Sequence, residues 1–305
     1  MKEIATALGL AFLASNAQSH EYVTIEELTD AMDFAGTGVR TEALAPGLHV
    51  LFGVGGNVVV SIGDQGVLMV DSQYAPMVPF LEEAIRGLGG KDVDFVVNTH
   101  WHFDHAGGNP ALGRNGTWFV SQRNSRRMLA GEQTIDTVTS PPTLQSPSPD
   151  EAMPVVTYRE SMQMHFNGDT IDLLHFGPAH TTGDTAVVFA NANVVHMGDV
   201  FNASYPFIDA GNGGDIDGMI LFCENVLARL DRDSRIVPGH GPVLGYDDMV
   251  AYIEMLETVR SRISGMIDAG MSLDEVIAAS PTAEFDERYG DPGRLINRAY
   301  FSLSR

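Results

Sequence analysis

The chain has 305 residues, 44% of them apolar, which is enough to bury a large core and excludes a disordered protein. Forty acidic residues against 18 basic ones give a formal charge of -22. This charge repels a phosphate backbone or an anionic lipid surface, so neither nucleic acid nor a membrane is predicted as a partner. A single cysteine, Cys223, excludes an intrachain disulfide.

Residues 1–17 are predicted to be a signal peptide. An apolar stretch precedes small residues at Ser15 and Ala17, the spacing that a signal peptidase requires. Cleavage after Ala17 would leave residues 18–305 and predicts a periplasmic or secreted location. The basic region is weak because Glu3 offsets the lysine before it, which leaves an ordinary N-terminal helix as the alternative.

The first half of the chain is predicted to contain a β-meander followed by a helix and a buried strand. Three β runs separated by glycine-rich turns lie within residues 47–72. Apolar periodicity predicts a helix over residues 76–88, and a continuous apolar run predicts a strand over residues 93–97. The proline-rich segment 134–154 is predicted to be an irregular insertion or flexible loop.

The second half repeats this plan. Four β runs begin near residue 161, and helices are predicted over residues 216–230, 246–269 and 273–279, with a short strand at 235–237. Two halves, each rich in strands and closed by helices, predict an α/β protein in which two packed sheets lie between helical layers. Residues 18–305 are predicted to form one domain, in which the last ~60 residues are a candidate helical cap.

A cluster of histidines and an aspartate follows the predicted strand at 93–97. His100, His102, Asp104 and His105 fall within six residues, and their alternating spacing on a tight loop lets one loop serve two metal ions. Imidazole nitrogens and carboxylate oxygens without a thiolate favour zinc, with iron or manganese as alternatives.

This cluster matches without departure the H-x-H-x-D-H signature of the metallo-β-lactamase superfamily, which the sequence resembles over most of its length. Three later elements match in order, and they are Gly177-Pro178-Ala179-His180-Thr181-Thr182-Gly183-Asp184, Met197-Gly198-Asp199 and Val237-Pro238-Gly239-His240-Gly241. The resemblance implies the αββα sandwich of that superfamily.

The resemblance also implies a set of seven ligands for two zinc ions. His100, His102 and His180 are expected to bind the first metal. Asp104, His105 and His240 are expected to bind the second. Asp199 is expected to bridge both.

Four further residues are candidates for supporting the site or contacting the substrate. Asp71 resembles the aspartate beneath the metal loop of the family and is expected to orient a ligand histidine or a loop amide. Asp184 either holds the loop that carries His180 or caps a turn. Asn212 either faces the substrate or occupies a glycine-rich turn. Asn202 stands where a related subclass has a lysine that grips the substrate.

The expected reaction is hydrolysis of a small molecule. Two zinc ions can lower the pKa of a shared water so that hydroxide attacks an ester, thioester, lactone or β-lactam bond, with Asp104 as the catalytic residue that helps to position it. The closest resemblance is to the B1 metallo-β-lactamases, which carry cysteine at the position of Asp199. A bridging aspartate at this position resembles instead the glyoxalase II, lactonase and phosphodiesterase branches of the superfamily. Without that cysteine and the lysine, and with a short turn at residues 53–56, only weak or promiscuous β-lactam hydrolysis is expected.

Two other enzymatic functions are compatible with the same fold and ligand motifs. A mononuclear iron oxidoreductase of the persulfide dioxygenase type and a phosphodiesterase are the alternatives. The charge of -22 disfavours a nuclease, and the complete ligand set disfavours a non-catalytic binding module. Cys223 and the histidines outside the motifs are expected to be structural, and these histidines are His20, His49, His165, His175 and His196.

Overall fold

Alternating runs of β-branched residues and amphipathic segments give 16 strands and 11 helices within residues 22–138 and 141–305, the part of the chain that a computed structural model describes. The predicted signal peptide and His20 lie outside these residues. The strands are β1 (Val23–Thr24), β2 (Arg40–Ala45), β3 (Leu48–Phe52), β4 (Val58–Gly63), β5 (Gly66–Val70), β6 (Phe95–Asn98), β7 (Trp118–Gln122), β8 (Gln133–Ile135), β9 (Thr143–Gln145), β10 (Val156–Tyr158), β11 (Ser161–Phe166), β12 (Asp169–Leu174), β13 (Ala186–Phe189), β14 (Val194–His196), β15 (Arg235–Val237) and β16 (Leu244–Gly245).

The helices lie mostly between and after these strands. They are α1 (Ile25–Asp30), α2 (Phe34–Thr37), α3 (Val78–Gly87), α4 (Phe103–Ala106), α5 (Asn109–Gly113), α6 (Arg123–Leu129), α7 (Ile216–Leu227), α8 (Tyr246–Asp268), α9 (Leu273–Ala278), α10 (Asp286–Tyr289) and α11 (Gly293–Leu303). The four predicted helices correspond to α3, α7, α8 and α9. The first of them was predicted to begin at residue 76, but a 3-10 turn (Ala75–Met77) occupies its start and α3 follows it.

Two mixed sheets form the centre of the fold. The first has the order β10-β7-β6-β5-β4-β3-β2, in which β3, β4 and β5 form the predicted antiparallel meander and β5, β6, β7 and β10 run parallel. The second has the order β11-β12-β13-β14-β15-β16. Because side chains alternate along a strand, each sheet presents one face to the other sheet and one to helices.

Three apolar layers hold these elements together. Val59, Val70 and Val97 of the first sheet pack against Leu173 and Val187 of the second in the central layer. Helix α3 covers the outer face of the first sheet, and α7, α8 and α11 cover the outer face of the second. The αββα sandwich implied by the resemblance is therefore confirmed, with the C-terminal helices as one of its outer layers.

The prediction of an irregular segment over residues 134–154 is wrong in part. This segment contains β9 and most of β8, which pair with each other antiparallel, and β9 also pairs parallel with β1. The result is a separate three-stranded sheet beside the sandwich. Its strands are only two or three residues long, so the prolines around them dominated the local pattern.

Candidate metal centre

The seven predicted ligands lie on loops that meet at one edge of the sandwich. The loop after β6 carries His100, His102, Asp104 and His105, and the loop between β12 and β13 carries His180. Asp199 lies in a 3-10 turn (Gly198–Val200) after β14, and His240 follows β15. Strands β14 and β15 run parallel, so their carboxyl ends, and with them the loops of Asp199 and His240, lie side by side.

The motif after β6 folds into an extended turn and then one turn of helix. His102 has extended backbone angles and stands at the N-cap of α4, which brings Asp104 and His105 into the helical turn. Trp101 is fully buried against Leu129 and Ile135, and its ring packs edge-on against the His102 ring with the centroids 4.4 Å apart. The alternation of His100, Trp101 and His102 therefore directs two imidazoles to the site and anchors the loop through the indole between them.

His100, His102 and His180 form the first cluster. Their ligand atoms lie within 4.8 Å of one another, and Nδ1 of His102 is 2.9 Å from Nε2 of His180. All three side chains are buried, with residue exposures of 1%, 4% and 1%. Nε2 of His100 is buried and has no hydrogen-bond partner among the described residues.

The outer nitrogen of each imidazole in the first cluster has its own partner. Nδ1 of His180 lies 2.7 Å from the Phe207 carbonyl, Nε2 of His102 lies 3.0 Å from Oδ2 of Asp209, and Nδ1 of His100 lies 3.0 Å from Oγ1 of Thr99. The carbonyl and the carboxylate can only accept, and the Thr99 hydroxyl already donates its proton to Oδ2 of Asp71, so these contacts assign the proton of each ring to its outer nitrogen.

A divalent metal fits this arrangement. When the imidazoles are neutral, each inner nitrogen carries a lone pair and no proton. The lone pairs of Nδ1 of His102 and Nε2 of His180, 2.9 Å apart, repel each other unless a cation lies between them. Ligand nitrogens at the zinc–nitrogen distance in a tetrahedral site lie roughly 3.3 Å apart. The unpartnered Nε2 of His100 supplies the third nitrogen. The first cluster thus has the donor set and spacing of a three-histidine metal site.

Asp104, His105 and His240 form the second cluster. Nε2 of His105 and Nε2 of His240 are 3.3 Å apart, and Oδ2 of Asp104 is 3.2 Å from the latter and 3.8 Å from the former. Nδ1 of His105 donates to Oδ2 of Asp71 at 2.7 Å, which again leaves Nε2 to face the site. This cluster is the more open one, because the side chain of His240 is 40% exposed.

Asp199 lies between the two clusters. Its Oδ1 is 3.1 Å from Nε2 of His105 and 3.4 Å from Nε2 of His240. Its Oδ2 is 3.7 Å from Nε2 of His180 in the first cluster. One carboxylate oxygen therefore faces each cluster, which is the placement that a bridging ligand needs.

The electrostatics of the two clusters differ. Burial and three neighbouring imidazoles lower the pKa of His100 well below its usual value, and burial also lowers the pKa of His180. Burial opposes protonation of His240 as well, but the carboxylates of Asp199 and Asp104 outweigh it and raise its pKa to about 10. Against the effect of burial, His105 and His240 hold the pKa of Asp199 well below its usual value. His100 and His180 of the first cluster, whose pKa values are lowered, favour the neutral imidazole, and the second cluster pairs opposite charges that a cation can replace.

Two glycines allow the backbone to approach the clusters closely. A Cβ on Gly56 would lie 2.1 Å from the His105 ring, and a Cβ on Gly239 would lie 1.9 Å from Oδ1 of Asp199. Gly56 belongs to the predicted short turn at residues 53–56, and its N–H donates to the Asp104 carbonyl at 3.0 Å. This turn therefore packs directly against the metal-binding loop.

Asp71 and Asn202 support the site from behind. Asp71 is fully buried and accepts hydrogen bonds from the Thr99 N–H and hydroxyl and from His105, so it touches both a loop amide and a ligand histidine. The amide of Asn202 donates to the Asp199 carbonyl at 3.2 Å and accepts from the His240 N–H at 2.8 Å. It joins the two loops that carry these ligands.

Asp184 and Asn212 have different positions. Asp184 accepts from the N–H and hydroxyl of Thr181 at 2.8 Å each, so it both caps a turn and holds the loop of His180. The amide of Asn212 donates to the Asp209 carboxylate and to the Thr134 carbonyl. Its amide nitrogen is thus engaged with the carboxylate that lies behind His102. The structure therefore places Asn212 in a supporting position and not facing the substrate.

Three supporting groups were not predicted: the Asp209 carboxylate, the Phe207 carbonyl and the Thr99 hydroxyl. Asp209 contacts His102 across 107 positions of sequence, and nothing in its local pattern distinguishes it from a turn residue. Thr99 directly precedes His100, and its place between Asp71 and His100 could have been found only by knowing that Asp71 lies beneath the loop.

The remaining histidines have structural positions. His196 bridges the Asn57 carbonyl, at 2.8 Å, and the Gly198 N–H, at 3.0 Å, beneath the loop of Asp199. His175 contacts the Asp184 carbonyl at 2.7 Å. His165 and His49 lie on strands outside both clusters. Cys223 is fully buried in α7, and burial raises the pKa of its thiol, so it is an inert core residue.

A cavity of about 320 Å³ opens over the two clusters. This volume suits a small-molecule ligand. It is lined by His102, Phe103, Asp104, Ile135, Thr137, Asp199, Asn202, Ser204, Tyr205, Phe207, His240 and Arg294. Within the described ranges 22–138 and 141–305, no helix combines the length and apolarity needed to cross a membrane.

The family model of the metallo-β-lactamase superfamily matches residues 51–240 of this chain, which contain all seven ligands. The chain therefore belongs to the metallo-β-lactamase superfamily. Most members are hydrolases that bind divalent metals, and the two clusters are the groups of this chain that could hold them.

Relatives of known description agree with this membership. A probable metallo-hydrolase of Methanocaldococcus jannaschii is 22% identical over 200 residues, which are 63% of this chain and 90% of that protein. The alpha subunit of the 2,4-dinitroanisole O-demethylase of Nocardioides sp. strain JS1661 is 28% identical over 141 residues, but the match spans only 38% of that subunit.

Solved structures share the fold. A metallo-β-lactamase from Pontibacter korlensis superposes with a TM-score of 0.59 at 16% identity, over 72% of this chain and 99% of the other. The FIM-1 metallo-β-lactamase of Pseudomonas aeruginosa, in a mono-zinc form, superposes with a TM-score of 0.57 at 18% identity, over 72% of this chain and 95% of the other.

Proposed function

We propose that the chain is a dinuclear zinc hydrolase that cleaves an ester, thioester, lactone or β-lactam bond of a small molecule, with at most weak β-lactamase activity. The observation that carries the proposal is the position of Asp199, whose two oxygens face two separate clusters. A complete second cluster favours two metals over one. The donors are nitrogen and oxygen only, which suits zinc, with iron or manganese as alternatives.

Each ligand has a defined part in the proposal. His100, His102 and His180 would hold the first metal, Asp104, His105 and His240 the second, and Asp199 would bridge them. Two zinc ions, when bound, acidify water and polarise a carbonyl oxygen. Asp104 is the ligand carboxylate that also lines the cavity on its open side, so it can accept a hydrogen bond from the attacking water and orient it.

The protein around the ligands keeps their geometry fixed. Asp71, Asp209 and the Phe207 carbonyl each hold the outer nitrogen of one histidine, which fixes the ring and its tautomer. Asn202 fixes the distance between the loops of Asp199 and His240. Such rigidity lets the metal positions persist through the reaction.

Metal analysis combined with substrate profiling tests the proposal. The purified full chain, loaded with zinc, is assayed against a β-lactam, a thioester, an acyl lactone and a phosphodiester, and kcat/KM is compared across the four. We expect two zinc ions per chain and hydrolysis of at least one acyl substrate. Asp199→Ala should lower the zinc content and abolish hydrolysis.

Two results would contradict the proposal. A single iron per chain with oxygen consumption on a persulfide would indicate the oxidoreductase alternative, and cleavage of the phosphodiester alone would indicate a phosphodiesterase. 2,4-Dinitroanisole is a useful fifth substrate, because a relative named as its demethylase aligns over 141 residues.

We also propose a periplasmic or secreted location, which fractionation of cells that express the full chain would test.

A further inference from the structure

An arginine outside the superfamily match lines the cavity over the metal clusters. Arg294 lies in the first turn of α11 and shares the cavity with Asp104, Asp199 and His240. It follows the matched region, residues 51–240, by more than fifty positions. The superfamily match therefore assigns no role to Arg294, and its position in this chain has to be explained from its own surroundings.

Arg294 is exposed and makes no ion pair or hydrogen bond within the part of the chain that the structure describes. The carboxylates beside α11 are engaged elsewhere. Asp136 pairs with Arg298 at 2.9 Å, Asp286 accepts from the Tyr205 hydroxyl at 2.8 Å, and Asp291 accepts from the Gly293 N–H at 2.9 Å. The guanidinium is therefore free to bind a ligand.

The backbone that carries Arg294 is held in place. Arg298 lies one helical turn further along α11, is 5% exposed, and pairs with Asp136 just after β8. The same segment contributes Ile135 and Thr137 to the cavity wall. Leu295 and Ile296 are buried beneath the helix. The ion pair thus joins two walls of the cavity and sets the position of Arg294 relative to the clusters.

Two other polar side chains of the wall are engaged within the protein. Both amide atoms of Asn202 bond to backbone, and the Tyr205 hydroxyl donates to Asp286. Arg294 is the one lysine or arginine among the described residues that line the cavity. The wall also includes the hydroxyl side chains of Thr137 and Ser204 and the apolar or aromatic side chains of Phe103, Ile135 and Phe207.

We propose that Arg294 determines specificity by binding a carboxylate of the substrate, so that the preferred substrates are small acyl compounds with an apolar body and a negative charge away from the scissile bond. A guanidinium can grip a carboxylate with two parallel hydrogen bonds. In a chain of net charge -22, one unpaired cation at the cavity mouth gives an anion a single favoured orientation. The inference rests on the proposed hydrolase function.

A matched pair of esters tests this inference with the zinc-loaded full chain. The pair is 3-acetoxybenzoate, which carries a carboxylate, and its neutral methyl ester. We expect Arg294→Gln to lower kcat/KM for the anionic ester about fivefold, the factor expected for an exposed charge pair. The loss should lie mainly in KM, because the contact is made equally before and during the reaction. The neutral ester should react as before.

Two further variants separate charge from structure. Arg294→Lys should recover part of the preference for the anionic ester, since the charge is kept and the two-bond geometry is lost. Arg86→Gln removes an arginine from the exposed surface of α3, away from the cavity, and should change neither ester. An unchanged ratio of the two esters in Arg294→Gln would overturn the inference while leaving hydrolysis intact.

Binding distinguishes a failed inference from a failed function. Benzenesulfonate, an anion that coordinates metals weakly, and the neutral methyl phenyl sulfone are titrated into the zinc-loaded protein by calorimetry. We expect benzenesulfonate to bind more tightly than the sulfone and to lose about fivefold in affinity in Arg294→Gln. If no ester, thioester, lactone or β-lactam is hydrolysed but this difference holds, the hydrolase assignment fails and the anion site stands. Equal binding by both proteins overturns the anion site.

Discussion

At the scale of single residues, the metal ligands depend on partners that do not themselves touch the metal. Asp209 is 1% exposed and lies 3.0 Å from Nε2 of His102. Its carboxylate fixes the ring so that Nδ1 faces the first cluster. Burial opposes its ionisation, yet His102 and Asn212 still lower the pKa of Asp209, so it is a carboxylate at neutral pH.

We therefore expect Asp209→Asn to weaken zinc binding at the first cluster by about 10- to 100-fold, the usual loss when such a partner is changed. The amide is nearly the same size, so the fold should be kept. Competition with a chromogenic chelator measures the affinity. Asp233→Asn, in an exposed turn, is the matched control. Equal zinc affinities in the two variants would show that Asp209 has no part in metal binding.

We propose that Asp199 governs the choice of substrate class. Subclass B1 enzymes, which the sequence resembles, carry cysteine there, and a thiolate would bind one metal instead of bridging two. We expect Asp199→Cys to increase β-lactam hydrolysis, which is proposed to be weak at most in the wild-type chain, while it decreases turnover of the best acyl substrate. Parallel kcat/KM measurements on a cephalosporin and that substrate test this expectation. The absence of cephalosporin hydrolysis by both proteins would contradict the placement near the B1 group.

At the scale of elements, α11 links the outer helical layer to the cavity. Leu295 is fully buried in the apolar layer between the second sheet and its helices, while Arg294 beside it lines the cavity. Leu295→Ala should therefore lower the free energy of unfolding by about 2–5 kcal/mol, the cost of a cavity in a packed core. Urea denaturation of the zinc-loaded protein measures the change.

A matched control exists on α7. Leu221 is 50% exposed, and Leu221→Ala should cost less than about 0.5 kcal/mol. If the two substitutions cost the same, α11 does not share the core of the sandwich. If Leu295→Ala also loses its preference for the anionic ester, this result would show that Arg294 acts only when α11 is packed against the core.

The elements also show what the sequence could and could not predict. The meander and the long helices were predictable because their apolar periodicity is local. The three-stranded sheet was not, since β9 pairs with β1, which lies some 120 residues earlier, and proline surrounds it. Helix α11 lies within the last ~60 residues, which were predicted to be a helical cap, but its bounds were not predicted, because the polar residues Arg298 and Ser302 lie on its buried face.

The site divides in the same way. The seven ligands were predictable because their residue types cluster within short motifs that match a known family. Their supporting partners were not, because Asp209 and the Phe207 carbonyl reach His102 and His180 only through the fold. A backbone carbonyl leaves no trace in the residue type that provides it. The place of Arg294 in the cavity wall could likewise not be predicted, because only the packing of α11 brings this residue to the cavity.

At the scale of the whole molecule, the metal site joins segments that are distant in the chain. The ligands run from His100 to His240 and come from both sheets. Metal ions held by these loops would connect the two halves of the sandwich at one edge. Because the unfolded chain cannot gather these ligands, metal binding should stabilise the folded state in proportion to the free metal concentration.

Removal of zinc with a chelator should therefore lower Tm, and adding zinc back should raise Tm in step with the logarithm of its free concentration. A site at free zinc 100 times its Kd contributes about 2.7 kcal/mol, which corresponds to several degrees in a chain of this size. Differential scanning calorimetry over a series of buffered zinc concentrations measures this slope. His180→Ala should reduce it by removing the first cluster, whereas His165→Ala, an exposed strand histidine, should retain it. A Tm that does not change with the free zinc concentration would mean that the two clusters do not bind zinc in the folded protein.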